Sequence, residues 1–436
     1  MKLLRYIMRI PNNHISLLIL SFFVLCSSSC NSNPQQGSVV TIIQTETGYQ
    51  MIRNGSPFTI HGVGGTTNLK KLKEYGGNTI RTWDAEGIEP LMDEASELGI
   101  AVVVGIWLEH TRHGFDSEDP EKRKEQLERV EGFVHQFKDH PALLAWGVGN
   151  EVELGVDLDI AIIQINEAAK MIKSIDQSHP TMAVIAEIGD DKAVRISNEC
   201  PDIDMLGINS YGGMGSVADR ALKQGYTGPF AITEFGPVGH WETGLSPWGA
   251  PYEQSSHDKA QFTKMNYIST IESNLGKQCL GSFGFLWGNK QEKTATWYGL
   301  LLESGETTES VDVLSELWTG QTPSNRAPQV KKMNLNVDPG TMNPGQRVTV
   351  NVDAFEPDGD PMNTQWSVIP ESDRVSAGGD FEDYIQPSEI EIEVNGPTSA
   401  IIELPDLPGA YRIFAIVRDG QGHAGTVNLP ILIVEE

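Results

Sequence analysis

Cysteine and basic side chains are scarce in this chain. It has four cysteines in 436 residues, and at this length two domains can each bury a core without disulfide bonds. Lys and Arg number 32 against 59 Asp and Glu, a formal net charge of -27. A field of that sign repels nucleic acid and other polyanions, so neutral partners fit better. Walker-type loops and Ser or Cys nucleophile motifs are also absent from the sequence.

The first 30 residues are predicted to be a targeting segment, because basic residues precede an apolar run over 15–26 and small residues follow it. Ser27 to Cys30 resembles a bacterial lipoprotein cleavage site, with Cys30 as the lipidated residue and 31–38 as a flexible tether. Ordinary secretion with cleavage nearby is the alternative. We expect an exported protein of the bacterial cell envelope, held at the membrane only by this anchor, on the surface or the periplasmic side.

Residues 39–320 predict a (β/α)8 TIM barrel that begins with an N-terminal hairpin. Apolar stretches without alternation are typical of parallel strands covered on both faces, and they alternate with amphipathic segments. An open doubly wound sheet is the alternative, but no Gly-rich phosphate loop follows the first strand. The predicted strands are Phe58–Val63, Asn78–Trp83, Ala101–Trp107, Leu143–Val148, Thr181–Ala186, Ile203–Asn209, Phe230–Thr233 and Leu280–Trp287.

The pattern changes after a linker over 321–328. Residues 329–436 contain short strand-like segments separated by turns, which predicts an all-β immunoglobulin-like sandwich that serves as a spacer or packs against the barrel. Trp366 is the only Trp there and is expected to pack in the sandwich core, so carbohydrate binding by this domain is the less favoured interpretation. The two cysteines of the mature body, Cys200 and Cys279, are expected to be buried and not bonded to each other.

Two glutamates follow the fourth and the seventh predicted strands. Glu151 ends the run Trp-Gly-Val-Gly-Asn-Glu, and Glu234 lies in Ile-Thr-Glu-Phe-Gly. In a TIM barrel the carboxyl ends of the strands carry the active site. Two carboxyl groups about 5 to 5.5 Å apart can break a glycosidic bond with retention, one as nucleophile and one as acid. A lone Glu at either place would more often be an ion-pairing or capping residue.

These segments, together with His-Pro-Ala-Leu at 140–143, resemble the motifs of retaining clan-A glycoside hydrolases. The resemblance implies that Glu151 is the acid/base and Glu234 the nucleophile. A barrel followed by an immunoglobulin-like domain, behind a lipoprotein-type leader, further resembles glycoside hydrolase family 158, which implies endo-acting cleavage of β-1,3-glucans. Family 2 β-glycosidases share the barrel motifs, but their N-terminal sandwich domains are not found in this sequence.

The clan resemblance also implies roles for the residues around the pair. Asn150 would bind the sugar 2-hydroxyl, and Trp287 would form the floor of the subsite that holds the reacting sugar. Tyr211 would hold the nucleophile in its attacking rotamer, and Arg81 would help to keep it charged, although a structural ion pair is an equal alternative for Arg81. The sixth strand departs from many clan members because it has no His before Tyr211; Asn209 is a further candidate for substrate binding there.

Three tryptophans at the predicted strand ends and loops are candidates for stacking on sugar rings, with simple packing as the alternative: Trp83, Trp107 and Trp241. Glu109 and His110, past the third strand, are expected to line the glycone side. The spacing His110-x-x-His113 has no third ligand nearby, so neither a metal nor a cofactor is expected.

The sequence therefore predicts a monomeric, retaining, endo-acting glycoside hydrolase that cleaves a neutral β-linked polysaccharide, with β-1,3-glucan as the favoured substrate. A transglycosylase or an exo-β-glycosidase of the same clan shares every candidate residue. A non-catalytic glycan-binding lipoprotein is the alternative from another class; two mutually repelling carboxylates argue against it, because a binding protein gains little from them.

Overall fold

The computed structural model describes residues 37–189, 191–374 and 379–435. The predicted leader, its Cys30 and residues 31–36 of the tether lie outside the described residues. Within the described ranges, no helix is both long enough and apolar enough to cross a membrane.

Eight parallel strands close into a barrel, which confirms the predicted fold class. Alternate residues along each strand face the helices and the barrel interior, and almost all of them are buried, which is why the strands read as continuous apolar runs. The strands are β4 (Ile60–Gly64), β5 (Thr79–Arg81), β6 (Ala101–Ile106), β7 (Leu143–Val148), β8 (Thr181–Ala186), β9 (Met205–Asn209), β10 (Phe230–Phe235) and β11 (Cys279–Gly284).

Helices surround the barrel and shield its outer face. Their bounds are α1 (Leu69–Glu74), α2 (Glu89–Leu98), α3 (Pro120–Phe137), α4 (Leu158–Ile175), α5 (Lys192–Glu199), α6 (Val217–Gln224), α7 (Ser256–Asn266) and α8 (Glu309–Thr319). Helix α7 is regular as far as Asn266, and a π-turn and a 3₁₀ turn continue it to Asn274. Cys200 and Cys279 are both buried as free thiols.

A small antiparallel sheet covers the amino-terminal end of the barrel. It consists of β1 (Val40–Gln44), β2 (Tyr49–Arg53) and β3 (Ser56–Phe58). The backbone N–H groups of Val40 and Tyr49 donate to carbonyls just before β8 and β11. Val40 and Met51 pack with the interior residues of the barrel strands. The predicted hairpin is therefore present, with a third strand added, and the opposite end of the barrel is left for the site.

The carboxyl-terminal domain is a sandwich of two antiparallel sheets, ordered β12-β13-β16-β15 and β14-β17-β18. Trp366 lies in its core. The turn that contains Asp358 is held by an ion pair with Arg326. Its strands are β12 (Gln329–Leu335), β13 (Arg347–Phe355), β14 (Asn363–Pro370), β15 (Ile392–Val394), β16 (Ser399–Glu403), β17 (Gly409–Arg418) and β18 (Ala424–Ile433).

Buried polar contacts join the sandwich to the barrel. Arg412 on β17 is 1% exposed; its guanidinium donates to the carbonyl of Pro251 and to the side chain of Asn428, 2.8 and 2.7 Å away. The amide of Asn428 in turn donates to Glu253, which also accepts from Lys259 on α7. Breaking such a network leaves buried charges without partners, so it fixes the position of the sandwich against the barrel.

Candidate active site

Glu234 points into the carboxyl end of the barrel because β10 is irregular at its end. Ala231 faces the interior and Ile232 faces the helices. If this alternation continued, Thr233 would face the interior and Glu234 would face outward. The pairing of β10 with β9 shifts register between Ile232 and Glu234. A bulge of this kind re-aims a side chain, so the Glu234 carboxyl faces the cavity while Phe235 packs in the core.

Three donors surround the Glu234 carboxylate. Arg81 Nη1 and Trp83 Nε1 donate to Oε1 over 3.0 and 2.9 Å, and the Tyr211 hydroxyl donates to Oε2 over 3.0 Å. Hydrogen bonds to a charged acceptor, one of them from a buried guanidinium, favour its ionised form. Glu234 is therefore held as an anion in a fixed rotamer, as a nucleophile requires.

Glu151 lies in a turn that follows β7. Gly149 and Glu151 both have left-handed backbone conformations, with φ of 68° and 53°. Residues other than glycine rarely adopt that conformation, and such backbone strain concentrates at functional sites. The Glu151 N–H donates to the carbonyl of Val184 on the next strand. The turn thus projects the Glu151 carboxyl over the barrel interior, where Asn209 Nδ2 donates to its Oε1 over 2.9 Å.

Burial, and to a lesser extent the nearby charge of Glu234, raise the pKa of Glu151 to about 8. The hydrogen bond from Asn209 acts in the opposite direction and is the smaller influence. At neutral pH Glu151 therefore carries a proton, whereas Glu234 accepts hydrogen bonds from three donors. Two carboxyl groups in one site with opposite protonation can serve as acid and nucleophile.

Asn150 and Arg81 connect the two glutamates. Arg81 reaches Glu234 through Nη1 and Asn150 Oδ1 through Nη2, the latter over 2.6 Å. Asn209 Nδ2 also donates to Asn150 Oδ1, and Asn209 Oδ1 accepts from Thr233. Since the Asn150 oxygen accepts from both, its amide nitrogen is the end that can donate to a ligand.

Aromatic rings form much of the cavity wall. Trp83, Trp107, Tyr211 and Trp241 line a cavity of about 850 Å³ that also contains both glutamates. The ring of Tyr211 packs edge-on against Trp241, with centroids 5.7 Å apart. Trp241 is 55% exposed, so its face is open to a ligand. This volume lies in the range of ordinary ligand sites, and it is large enough to hold a segment of an oligosaccharide.

Four of the predicted residues do not line this cavity. Arg81 is one of them, although it is buried and contacts Glu234. Trp287 is buried in the core, and its indole N–H donates to the carbonyl of Asn68. Phe285 and Leu286 line the cavity there instead. The expectation that Trp287 forms the floor of the subsite is therefore wrong.

Glu109 and His110 were likewise expected beside the substrate. Glu109 instead pairs with Arg129 on α3 at 3.0 Å and faces a separate depression. His110 is buried behind the wall, with its ring stacked on Trp107 at 4.9 Å. Burial lowers the pKa of His110 to about 4, so it is a neutral support for that tryptophan.

The sequence analysis did not predict several of the groups that line the cavity wall. Glu187, Glu242 and Glu292 line it, and Glu242 Oε2 accepts from the backbone N–H groups of residues 212 and 239. Their positions in loops after β8, β10 and β11 were the available signal. Asp380 and Phe381, from the sandwich domain, line it too; no pattern in the sequence indicates them.

Among the described residues, no group of three or more His, Cys, Asp or Glu could hold a metal ion. His110 and His113 stack with ring centroids 5.3 Å apart, and the His113 imidazole contacts Asp380.

Comparison with known proteins identifies the barrel. The family model "Glycosyl hydrolases family 2, TIM barrel domain" matches residues 75–244, which include both glutamates. A beta-galactosidase of Arthrobacter sp. (strain B7) is 29% identical over 135 residues, covering 26% of this chain and 13% of that protein. A beta-glucuronidase of Felis catus is 26% identical over 197 residues, covering 39% and 27%. The chain thus spans less than a third of either relative.

Solved structures share the fold at lower identity. The crystal structure of Ruminococcus gnavus beta-glucuronidase has a TM-score of 0.51 and 18% identity, covering 66% of this chain and 53% of that chain. The same enzyme with uronic isofagomine gives 0.51 and 20%, covering 64% and 53%. These matches do not support the narrower resemblance to family 158. Residues 75–244 of the barrel are therefore similar to the TIM-barrel domain of glycosyl hydrolases family 2.

Proposed function

We propose that this protein is a retaining glycoside hydrolase that cleaves a neutral β-linked polysaccharide internally, with β-1,3-glucan as its substrate. The observation that carries the proposal is the carboxyl pair in one cavity, Glu151 protonated through burial and Glu234 held as an anion by three donors. A pair with opposite protonation states is what double displacement at a glycosidic bond requires.

The two steps follow from these groups. Glu234 attacks the anomeric carbon as the bond to the leaving oxygen breaks, and Glu151 gives its proton to that oxygen. Glu151, now a carboxylate, takes a proton from water, whose oxygen attacks the anomeric carbon and releases Glu234. The Asn150 amide nitrogen is placed to donate to a sugar hydroxyl beside the reacting carbon, because Arg81 and Asn209 occupy its oxygen.

Charges around the cavity favour a neutral sugar over a uronic acid. Six carboxyl groups line it: Glu151, Glu187, Glu234, Glu242, Glu292 and Asp380. The one arginine and the one lysine that line it within the described residues both have carboxylate partners, Arg112 with Asp380 at 3.5 Å and Lys290 with Glu292 at 3.0 Å. A uronate would bring another negative charge into this field at a cost in binding free energy.

The choice of β-1,3-glucan as the substrate rests on the order of the domains alone, a barrel followed by an immunoglobulin-like sandwich. A substrate panel tests it directly: laminarin and other pure β-glucans, mannan, galactan and xylan, with aryl β-glucoside, β-galactoside and β-glucuronide. We expect an oligosaccharide ladder from laminarin. Monomer release alone would indicate an exo-enzyme, longer products a transglycosylase, and faster cleavage of the glucuronide would contradict a neutral substrate.

Stereochemistry and variants test the mechanism. Proton NMR of the first product should show the β anomer, and an initial α anomer would exclude double displacement. Glu234→Ala should lose nearly all turnover. Glu151→Ala should lose most with poor leaving groups, because only these need its proton. Normal turnover in either variant would contradict the assignment.

A further inference from the structure

A segment of the sandwich domain reaches the cavity of the barrel. Residues 379–385, here called the rim segment, leave the sandwich between β14 and β15, and Gly379, Asp380 and Phe381 line the cavity. This places part of the carboxyl-terminal domain beside the carboxyl pair.

The rim segment lies on the side of the cavity mouth where β4 and β5 end. In the closed barrel, β4 and β5 lie between β11 and β6. The loops that follow β11 and β6 both contact the rim segment.

Those contacts hold the rim segment from both sides. From the loop after β11, Lys290 Nζ donates to the carbonyl of Gly379 over 2.8 Å, and the backbone N–H of Lys293 donates to Glu382 over 2.9 Å. From the loop after β6, the imidazole of His113 lies 3.0 Å from Asp380 Oδ1. The segment therefore has a defined position.

Phe381 projects from this segment with 80% of its surface exposed. A ring that is so exposed makes little contribution to folding, since it buries little area. Together with Trp241 it gives the cavity two open aromatic faces. Sugar rings present apolar C–H faces that pack on such rings, while their hydroxyls remain free to bind polar groups.

We propose that Phe381 is a binding platform for a sugar residue beyond the one being cleaved, so that the sandwich domain supplies a subsite for a neutral β-linked oligosaccharide. This rests on the proposed function. The reacting sugar lies at the buried carboxyl pair, whereas Phe381 stands at the exposed rim and contacts a more distant unit of the chain. Short substrates do not reach it.

The test compares Phe381→Ala with the native protein on two substrates. With a laminarin-type oligosaccharide, kcat/KM should fall about tenfold, mainly through KM, because one stacking contact of order 1.4 kcal/mol is lost. With an aryl monoglycoside, kcat and KM should not change. Phe381→Trp should restore the oligosaccharide KM. Phe355→Ala removes another exposed phenyl of the same domain, outside the cavity lining, and should have no effect.

An oligosaccharide KM unchanged by Phe381→Ala, with normal aryl glycoside turnover, would overturn the subsite and leave the glycosidase function intact. A loss on both substrates would also overturn it, since the residue would then act at the reacting sugar.

Binding is measured separately from turnover. Calorimetric titration of laminari-oligosaccharides into Glu234→Gln, with and without Phe381→Ala, should show affinity about tenfold weaker when the ring is absent. Equal affinities would overturn the subsite even if no substrate of the panel is turned over.

Discussion

At the scale of single residues, two identical side chains acquire opposite properties from their neighbours. Glu234 accepts from a guanidinium, an indole and a phenol, whereas Glu151 is buried with one amide donor. Donors to the charged form and desolvation act on a carboxyl group in opposite directions. The division of labour between acid and nucleophile is therefore set by the side chains around the pair.

Removing one donor should weaken the nucleophile without affecting the fold. Tyr211→Phe deletes the hydrogen bond to Glu234 Oε2, and hydrogen bonds to charged groups contribute about 1.5 to 3 kcal/mol. We expect kcat to fall about ten- to a hundredfold in steady-state assays with an aryl glycoside, with little change in KM. Tyr298→Phe is the control: its ring packs on Tyr211 at 5.6 Å, but its hydroxyl contacts His240. Equal losses in both variants would contradict a specific role for the Tyr211 hydroxyl.

The pKa of Glu151 sets the alkaline limb of activity. Because burial and Glu234 raise this pKa to about 8, kcat/KM should decline as pH rises past about 8 and the acid loses its proton. Glu151→Gln, assayed with an aryl glycoside whose leaving group needs no proton, should keep measurable turnover and lose this limb. A limb that persists in the variant would assign it to another group.

The same pKa predicts how stability depends on pH. The folded protein keeps the Glu151 proton that the unfolded chain releases near the ordinary pKa of 4.5, so the native state binds more protons between pH 4.5 and 8. Stability contributed by this group therefore falls as pH rises through that window. Calorimetry should show the Tm of Glu151→Gln rising relative to the native protein from pH 5 to 8. Parallel Tm curves would mean that Glu151 is not protonated in the folded state.

At the scale of elements, strand ends decide where side chains point. The apolar runs predict the eight strands and place both glutamates at strand ends, because period and burial are encoded locally. The bulge in β10 and the turn after β7 are not encoded in this way. Trp287 shows the same limit. Its position in the sequence places it at the end of the last strand, but its burial in the core, with Phe285 and Leu286 lining the cavity instead, depends on the path of the chain after β11.

The turn after β7 gives an element-scale prediction. A Cβ at Gly149, where φ is 68°, would lie 2.9 Å from Val152 Cγ1, so Gly149→Ala adds a clash to about 1 to 2 kcal/mol of backbone strain. The displaced turn should misplace Glu151 and lower kcat about a hundredfold. Gly155→Ala has a similar φ of 75° with no atom within 4 Å of the new Cβ. It should lose stability in thermal unfolding and keep kcat; equal kcat in both variants would contradict the argument.

At the scale of the whole molecule, the sandwich contributes residues to the wall of the cavity that holds the two glutamates. The change of period predicts a separate β domain, and Trp366 in its core agrees with the reading that its only Trp is structural. What the sequence cannot indicate is a contact between residues far apart in the chain, such as Asp380 with Arg112 and His113. Phe381 therefore has no signature before the fold brings the two domains together.

The buried network at the domain interface should control both stability and the rim segment. Arg412→Ala leaves the buried carboxylate of Glu371 without its cation, which costs about 3 to 5 kcal/mol. The Tm should fall, and KM for oligosaccharides should rise while KM for an aryl monoglycoside stays unchanged, because the loosened sandwich carries the rim segment. Arg418 lies on the same strand β17 and forms a more exposed ion pair with Glu306. Arg418→Ala breaks this pair and should cost no more than about 1 kcal/mol. If Arg412→Ala lowers the Tm but leaves both KM values unchanged, the rim segment keeps its place through its barrel contacts alone.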